Sequence, residues 1–337
     1  MARLRPILRA VGAAGKRERK TFQSVATNHF FVTCVLIGGG GGFLFLLVAL
    51  AVLFPLSADP LRKIPSDRLD LWPLDRKERR LLRFLTPWLN PVTWGLAALA
   101  VWALGHAESL SLLGLALALF AIGFFVPAPS GEPGFLRWIP APGGAFAQLV
   151  RKSLREMMLT LDFYLALMLS ASVLAYRVFM PSFPDEGRMV MTILLVLSLS
   201  SYAQCLFGLE SKGGLTRYRL MPVPGWQVLA AKDAAFLLMI LIVSLPAAPV
   251  AALAGGFAAL ALGHEPSVTE AREQVRWRFS SGASLQKGAI QVLAIAGACV
   301  TAYRITPLIL IPCLLACAGS AWWYGRKMTA LESDPAA

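Results

Sequence analysis

The sequence predicts an all-α, polytopic helical membrane protein of about nine spans. Three observations carry that reading. Apolar residues make up 57% of the chain and charged residues only 15%, with a mean hydropathy of +0.62. The apolar residues fall in continuous runs of about 15–25 residues, the length a helix needs to cross a bilayer core. Lys and Arg, which give a net charge of +13, collect between those runs. Backbone amides in lipid must be satisfied within the segment, so continuous runs point to helices. A β-barrel would alternate apolar and polar residues instead.

The first 28 residues form a basic N-terminal segment with seven Lys/Arg. The apolar run 31–56 follows; it lacks a cleavage site and is expected to be retained. The pentaglycine Gly38–Gly42 lies inside it and either packs closely against a neighbour or breaks the run into a re-entrant hairpin. Further spans are expected at 89–105, 110–127, 158–179, 189–208, 233–247, 249–263, 288–303 and 306–325. Segment 57–87 holds eight Lys/Arg, and 128–157, 209–232 and 264–288 hold four each, while tips 106–109, 180–187 and 244–249 hold none. Basic loops stay in the cytosol, so every span from 89 onward alternates correctly. The side of the N-terminus stays open, because 1–28 and 57–87 are both basic across one apolar run. Loop placement also argues against nucleic acid as the partner of the positive charge. Anionic lipid headgroups and an acidic protein surface are the expected counterparts.

Segment 209–232 is punctuated by Pro222, Pro224 and Gly225. Neither proline can donate a backbone hydrogen bond, so Val223 is extended and a helix restarts near Gly225. Trp226 suits a docking knob or an interfacial anchor. Arg217, Arg219 and Lys232 suit acidic groups or lipid phosphates. Glu210 and Lys232 flank the segment at its two membrane exits, either as a salt bridge or as two solvated charges. An echo lies upstream: Arg68, Leu71 and Pro73 of Arg68–Leu74 match Arg217, Leu220 and Pro222 at one offset, with Trp72 in the first copy. After it, Asp75 and Glu78 form a capping box for a basic amphipathic helix over 74–86.

The stretch from Leu197 to Ala258, centred on Phe207–Asp233, resembles the cytosolic coupling segment of type-2 permeases of ATP-binding-cassette (ABC) exporters. The resemblance implies that residues 150–327 form a six-span permease-like module with its coupling segment at 209–232. Residues 29–149 are then a shortened repeat with a coupling-like helix at 74–86, and 328–337 a tail. It further implies a transport subunit of the bacterial cytoplasmic membrane; the bland Ala/Leu/Val spans fit a lipophilic substrate without requiring one. A separate ABC ATPase would dock on Glu210, Arg217, Arg219, Pro222, Gly225, Trp226 and Lys232. Arg68, Trp72, Pro73, Asp75 and Glu78 would form a second such surface. A second permease chain as partner stays open. The competing reading is a non-transporting scaffold that holds a partner through the same basic loops.

Chemistry is sparse elsewhere. Gly12 and Gly15-Lys16 do not make a phosphate-binding loop, so no ATP site and no cofactor is expected in this chain. His264-Glu265 is followed by Pro266 rather than by a metalloprotease pattern, and no Gly-x-Ser-x-Gly occurs. His29, His106 and His264 read as isolated interfacial residues. Cys34, Cys205, Cys299, Cys313 and Cys317 form no CxxC pair and read as small buried hydrophobes rather than a zinc site. Asp162 and Arg177, at opposite ends of one span, are expected to reach the interface.

Overall fold

The computed structural model describes residues 28–31, 33, 53, 72, 74–86, 94–95, 98, 143–179, 184–210, 217–218, 223–270, 276–282 and 284–330. Among these the chain is helical, with eight α-helices, two short 3-10 turns and no strand. Two compact units divide it: residues 1–26, 33–139 and 276–279 form one, and 27–32, 140–275 and 280–337 the other. The expected spans at 31–56, 89–105 and 110–127 lie almost wholly outside the described residues.

In the first unit, α1 (Arg76–Leu85) begins where the capping box predicts. The backbone N–H of Asp75 donates to Glu78 Oε2 at 3.2 Å, which satisfies an amide the helix leaves open. Leu82 is buried and Lys77 exposed, as an amphipathic helix requires, whereas Leu81, expected on the apolar side, is exposed.

The second unit opens with α2 (Ala145–Met157). A tight turn at 158–160, in which Thr160 Oγ1 donates to the Met157 carbonyl at 2.7 Å, leads into α3 (Leu161–Phe179). Leu161, Leu165, Leu169 and Val173 recur every four residues on α3 and are fully buried, while Leu174 and Val178 on other faces are exposed. α4 (Asp185–Ala203) starts after Pro184 with Asp185 and Glu186 in its first turn, where carboxylates suit the positive end of the helix dipole. α5 (Gly225–Ser244) starts directly after Pro224. α6 (Pro249–Thr269) carries its proline at the first turn, where a missing N–H costs nothing. Ser284 caps α7 (Leu285–Arg304) by accepting from the Lys287 N–H at 3.2 Å. Thr306 caps the turn Pro307–Ile309 that leads into α8 (Leu310–Ala330).

Among the described residues, three segments are long and apolar enough to cross a membrane by length and composition: Leu161–Phe179, Gly225–Ser244 and Pro307–Met328. α6 lies at the centre of the unit, against α4, α5, α7 and α8. Its small residues explain this. A Cβ on Gly263 would stand 2.4 Å from the Ala203 carbonyl oxygen at the end of α4, so only glycine permits that approach.

Boundaries differ from expectation at two places that matter. The stretch 225–232 is not a separate short helix before a span at 233; it is the first two turns of α5. The expected loop 264–288 begins later, because α6 runs on through Pro266 to Thr269. Here the proline sits near the helix end, and Glu270 still closes a bond to the Pro266 carbonyl at 3.0 Å.

Two polar readings are corrected. Asp162 does not reach the interface but is fully buried. It accepts from Asn28 Nδ2 at 2.8 Å and from the Ser280 N–H and Oγ at 2.8 and 2.6 Å. Three donors offset the cost of removing a carboxylate from water. His29 and His264 are likewise buried rather than interfacial. The His29 N–H donates to Ser201 Oγ at 3.0 Å, which ties residues 28–30 to α4. His106 lies outside the described residues.

Candidate functional site

The 209–232 segment leaves the helices beside a buried knot of charge. α4 ends at Ala203, and a turn through Phe207 leads to the 3-10 turn Gly208–Glu210. On the far side, α5 restarts at Gly225, and two turns later Lys232 faces back toward Glu210. Lys232 Nζ donates to Glu210 Oε1 and to the Leu206 carbonyl, both at 2.7 Å. It lies 3.5 Å from Glu156 Oε2 on α2. Lys152, one turn before Glu156 on the same face of α2, reaches Glu210 Oε1 at 3.3 Å and Glu156 Oε1 at 3.7 Å. Tyr218, from within the segment itself, donates to Glu210 Oε1 and accepts from Lys152 Nζ at 2.8 Å. The Phe207 and Tyr218 rings meet edge to face at 5.7 Å, and the Lys232 ammonium sits 4.8 Å above Phe207.

The side chains of Lys232 and Glu210 are 2% and 3% exposed, so this is not a pair of solvated charges. Two ammonium groups and two carboxylates balance, which is what makes the burial tolerable. Burial pushes the Glu156 carboxyl above the ordinary carboxylate range, and Lys232 only partly opposes it. Burial also works against the charge of Glu210. Lys232, the Tyr218 hydroxyl and Lys152 together outweigh it and hold that carboxyl below the usual range. Burial, and then Glu210, push the Tyr218 phenol far up, so it stays a neutral donor. Glu210 Oε2 is buried with no hydrogen-bond partner among the described residues.

The start of α5 is pinned a second time. A Cβ on Gly225 would lie 2.4 Å from the Gly325 carbonyl oxygen of α8, and one on Gly325 would lie 2.4 Å from Trp226 Cα. The two backbones therefore touch. This contact turns Trp226 outward, 45% exposed.

Of the residues the sequence singled out, the structure joins Glu210 and Lys232 directly, packs Gly225 on α8, and leaves Arg217 and Trp226 at the surface. Arg219 and Pro222 lie outside the described residues. In the other unit Trp72 is half-buried and Asp75 and Glu78 cap α1, while Arg68 and Pro73 lie outside the described residues. Sequence reasoning missed Lys152, Glu156, Phe207 and Tyr218. The i,i+4 spacing of Lys152 and Glu156 was the one available signal; nothing local ties Tyr218 to them.

Comparison with known protein families, curated proteins and solved structures finds no match to this chain.

Among the described residues, the arrangement holds no nucleophile–base pair and no phosphate-cradling loop. The end of α2, the turn after α4, the start of α5 and Tyr218 close on one buried knot, and Arg217 and Trp226 are exposed.

Proposed function

We propose that this chain is the membrane permease subunit of an ABC exporter, driven by a separate ATPase that docks on the 209–232 segment. In this reading all six helices α3–α8 cross the membrane, the apolar runs of residues 31–127 bring the total to about nine spans, and the membrane is a bacterial cytoplasmic one. The cargo is lipophilic. One observation carries the proposal: the buried Lys152–Glu156–Glu210–Lys232–Tyr218 knot at the base of the segment. A solvated loop needs no such anchor. A segment that passes a push from a partner to α4 and α5 does, because slack at its base would dissipate the movement. Arg217 and Trp226, both exposed, suit a partner surface with acidic groups and an apolar pocket.

The test is co-purification of the chain with its ATPase, followed by Trp226→Glu. Desolvating an unpaired carboxylate in a packed contact costs several kcal/mol, enough to weaken binding more than a hundredfold. Trp226→Glu is therefore expected to release the ATPase or uncouple its hydrolysis from transport, while the chain still inserts. Unchanged partner binding and ATP turnover would refute docking here and favour the scaffold reading.

A further inference from the structure

α5, α6 and α8 bring together a second polar cluster, one the coupling reading does not use. Asp233 follows Lys232 on α5 but lies about 100° further round the helix, toward α6. His264 Nε2 lies 2.9 Å from Asp233 Oδ1, and His264 Nδ1 lies 3.0 Å from Ser320 Oγ on α8. One turn earlier on α8, Cys317 presents its sulfur to the same spot. One ligand atom from each of Asp233, His264 and Cys317 falls within 4.8 Å of the other two, and all three residues are buried.

The proton positions follow from the hydrogen bonds. The Ser320 hydroxyl has a single proton and gives it to the Ala261 carbonyl at 2.8 Å. Ser320 Oγ must then accept from His264, so Nδ1 carries the hydrogen and Nε2 turns its lone pair toward the Asp233 carboxylate and the Cys317 sulfur. In the neutral ring, a lone pair aimed at a carboxylate oxygen 2.9 Å away is repulsive unless a proton or a metal cation bridges the two. Metal-binding histidines are held in this way, with one nitrogen on the ion and the other donating to a fixed acceptor.

We propose that Asp233, His264 and Cys317 form a binding site for a borderline-soft divalent metal, zinc(II) in class, with Ser320 and the Ala261 carbonyl fixing the histidine. Carboxylate, imidazole and thiolate are zinc ligands, and three protein ligands leave one position of a tetrahedron open. Entry of the ion releases the Cys317 thiol proton to solvent. One thiolate, one carboxylate and a neutral imidazole then cancel the dication, so the site can stay buried without net charge. Ligand atoms of a closed zinc site stand roughly 3.5 Å apart, so side-chain rotations of about 1 Å complete it. The ion would clamp α5 to α8 a few turns from the Gly225–Gly325 contact. The site does not rest on the transport reading.

The experiment uses the full chain in detergent, stripped with a chelator and titrated with Zn2+ and, separately, Co2+. One zinc per chain is expected by elemental analysis. Co2+ should give tetrahedral visible absorption with a thiolate-to-cobalt charge-transfer band. Cys317→Ser should abolish that band and weaken Zn2+ binding at least tenfold, whereas Cys299→Ser, at a buried cysteine against the Ala251 carbonyl, should change neither. Ser320→Ala keeps every ligand and should weaken binding about 10–100-fold. Zn2+ should raise the unfolding midpoint of the wild-type chain but not of Cys317→Ser. Sub-stoichiometric zinc with no charge-transfer band would mean that the Asp233–His264 gap holds only a proton and would overturn the proposal. So would equal metal affinity in wild type and Cys317→Ser.

Discussion

Lys232→Met tests whether the charge knot is as dry as its geometry implies. Methionine keeps the unbranched stem and removes the ammonium, and with it the 2.7 Å bonds to Glu210 and to the Leu206 carbonyl and the 3.5 Å approach to Glu156. Glu210, 3% exposed, then keeps Lys152 at 3.3 Å and the Tyr218 hydroxyl. Glu156 keeps Lys152 alone, at 3.7 Å. Removing one partner of a buried ion pair costs about 3–5 kcal/mol, because the other charge stays desolvated. Lys152 is half-exposed and compensates in part, so the expected loss is near the lower end, about 3 kcal/mol. Adding Glu210→Gln to Lys232→Met removes the stranded charge. The double variant should be more stable than Lys232→Met alone, with a coupling of at least about 1 kcal/mol in the cycle. Denaturant titration in mixed micelles, with reversibility checked, measures all four corners. A Lys232→Met loss under about 1 kcal/mol, the value of an exposed pair, would show that water reaches the knot and would refute the reasoning.

Gly325→Ala places a methyl group against the Trp226 backbone at 2.4 Å, and backbone cannot rotate away; it should cost about 1–3 kcal/mol or more, whereas Gly319→Ala on the same helix, with open space around it, should stay within about 0.5 kcal/mol in the same titration. The pH dependence should have two opposed limbs. Glu210 is held below its ordinary value of 4.5, so its stabilisation is present above about pH 4.5 and is lost as the pH falls through the lowered folded value; Glu210→Gln should flatten this acid limb. Glu156 is held above that value, so its contribution is present at low pH and fades as the pH rises through the raised folded value; Glu156→Gln should remove this fall. An acid limb of unchanged slope in Glu210→Gln would contradict the assignment.

Continuous apolar runs made the helical fold legible, because a segment that cannot alternate apolar and polar residues must satisfy its backbone amides within itself. The last six expected spans each correspond to a helix, and Asp75 and Glu78 cap α1 as their spacing requires. The expected starts erred where polar residues lie inside helices. Lys232, Asp233 and His264 looked like loop edges, yet each is buried against a partner from another helix. Pairing between helices has no local spacing, so Asp233 with His264 and Asn28 with Asp162 were invisible. At the base of the 209–232 segment, the Glu210–Lys232 pair was readable because both flank one loop. Tyr218 and α2 were not, because their roles depend on how that loop folds back.

The unbroken course of α5 from Gly225 past Lys232 has a mechanical consequence. Had the helix broken before Lys232, movement at Trp226 would have been absorbed at the break. As one rod of 20 residues, held where Gly225 meets Gly325, it would turn under the proposed push about a point at its very end. At 1.5 Å per residue the rod is about 30 Å long, so a tilt of about 10° at that fulcrum swings Ser244 sideways by about 5 Å. Under the proposed coupling, a small angular change at one end of α5 would therefore appear as several ångströms at the other.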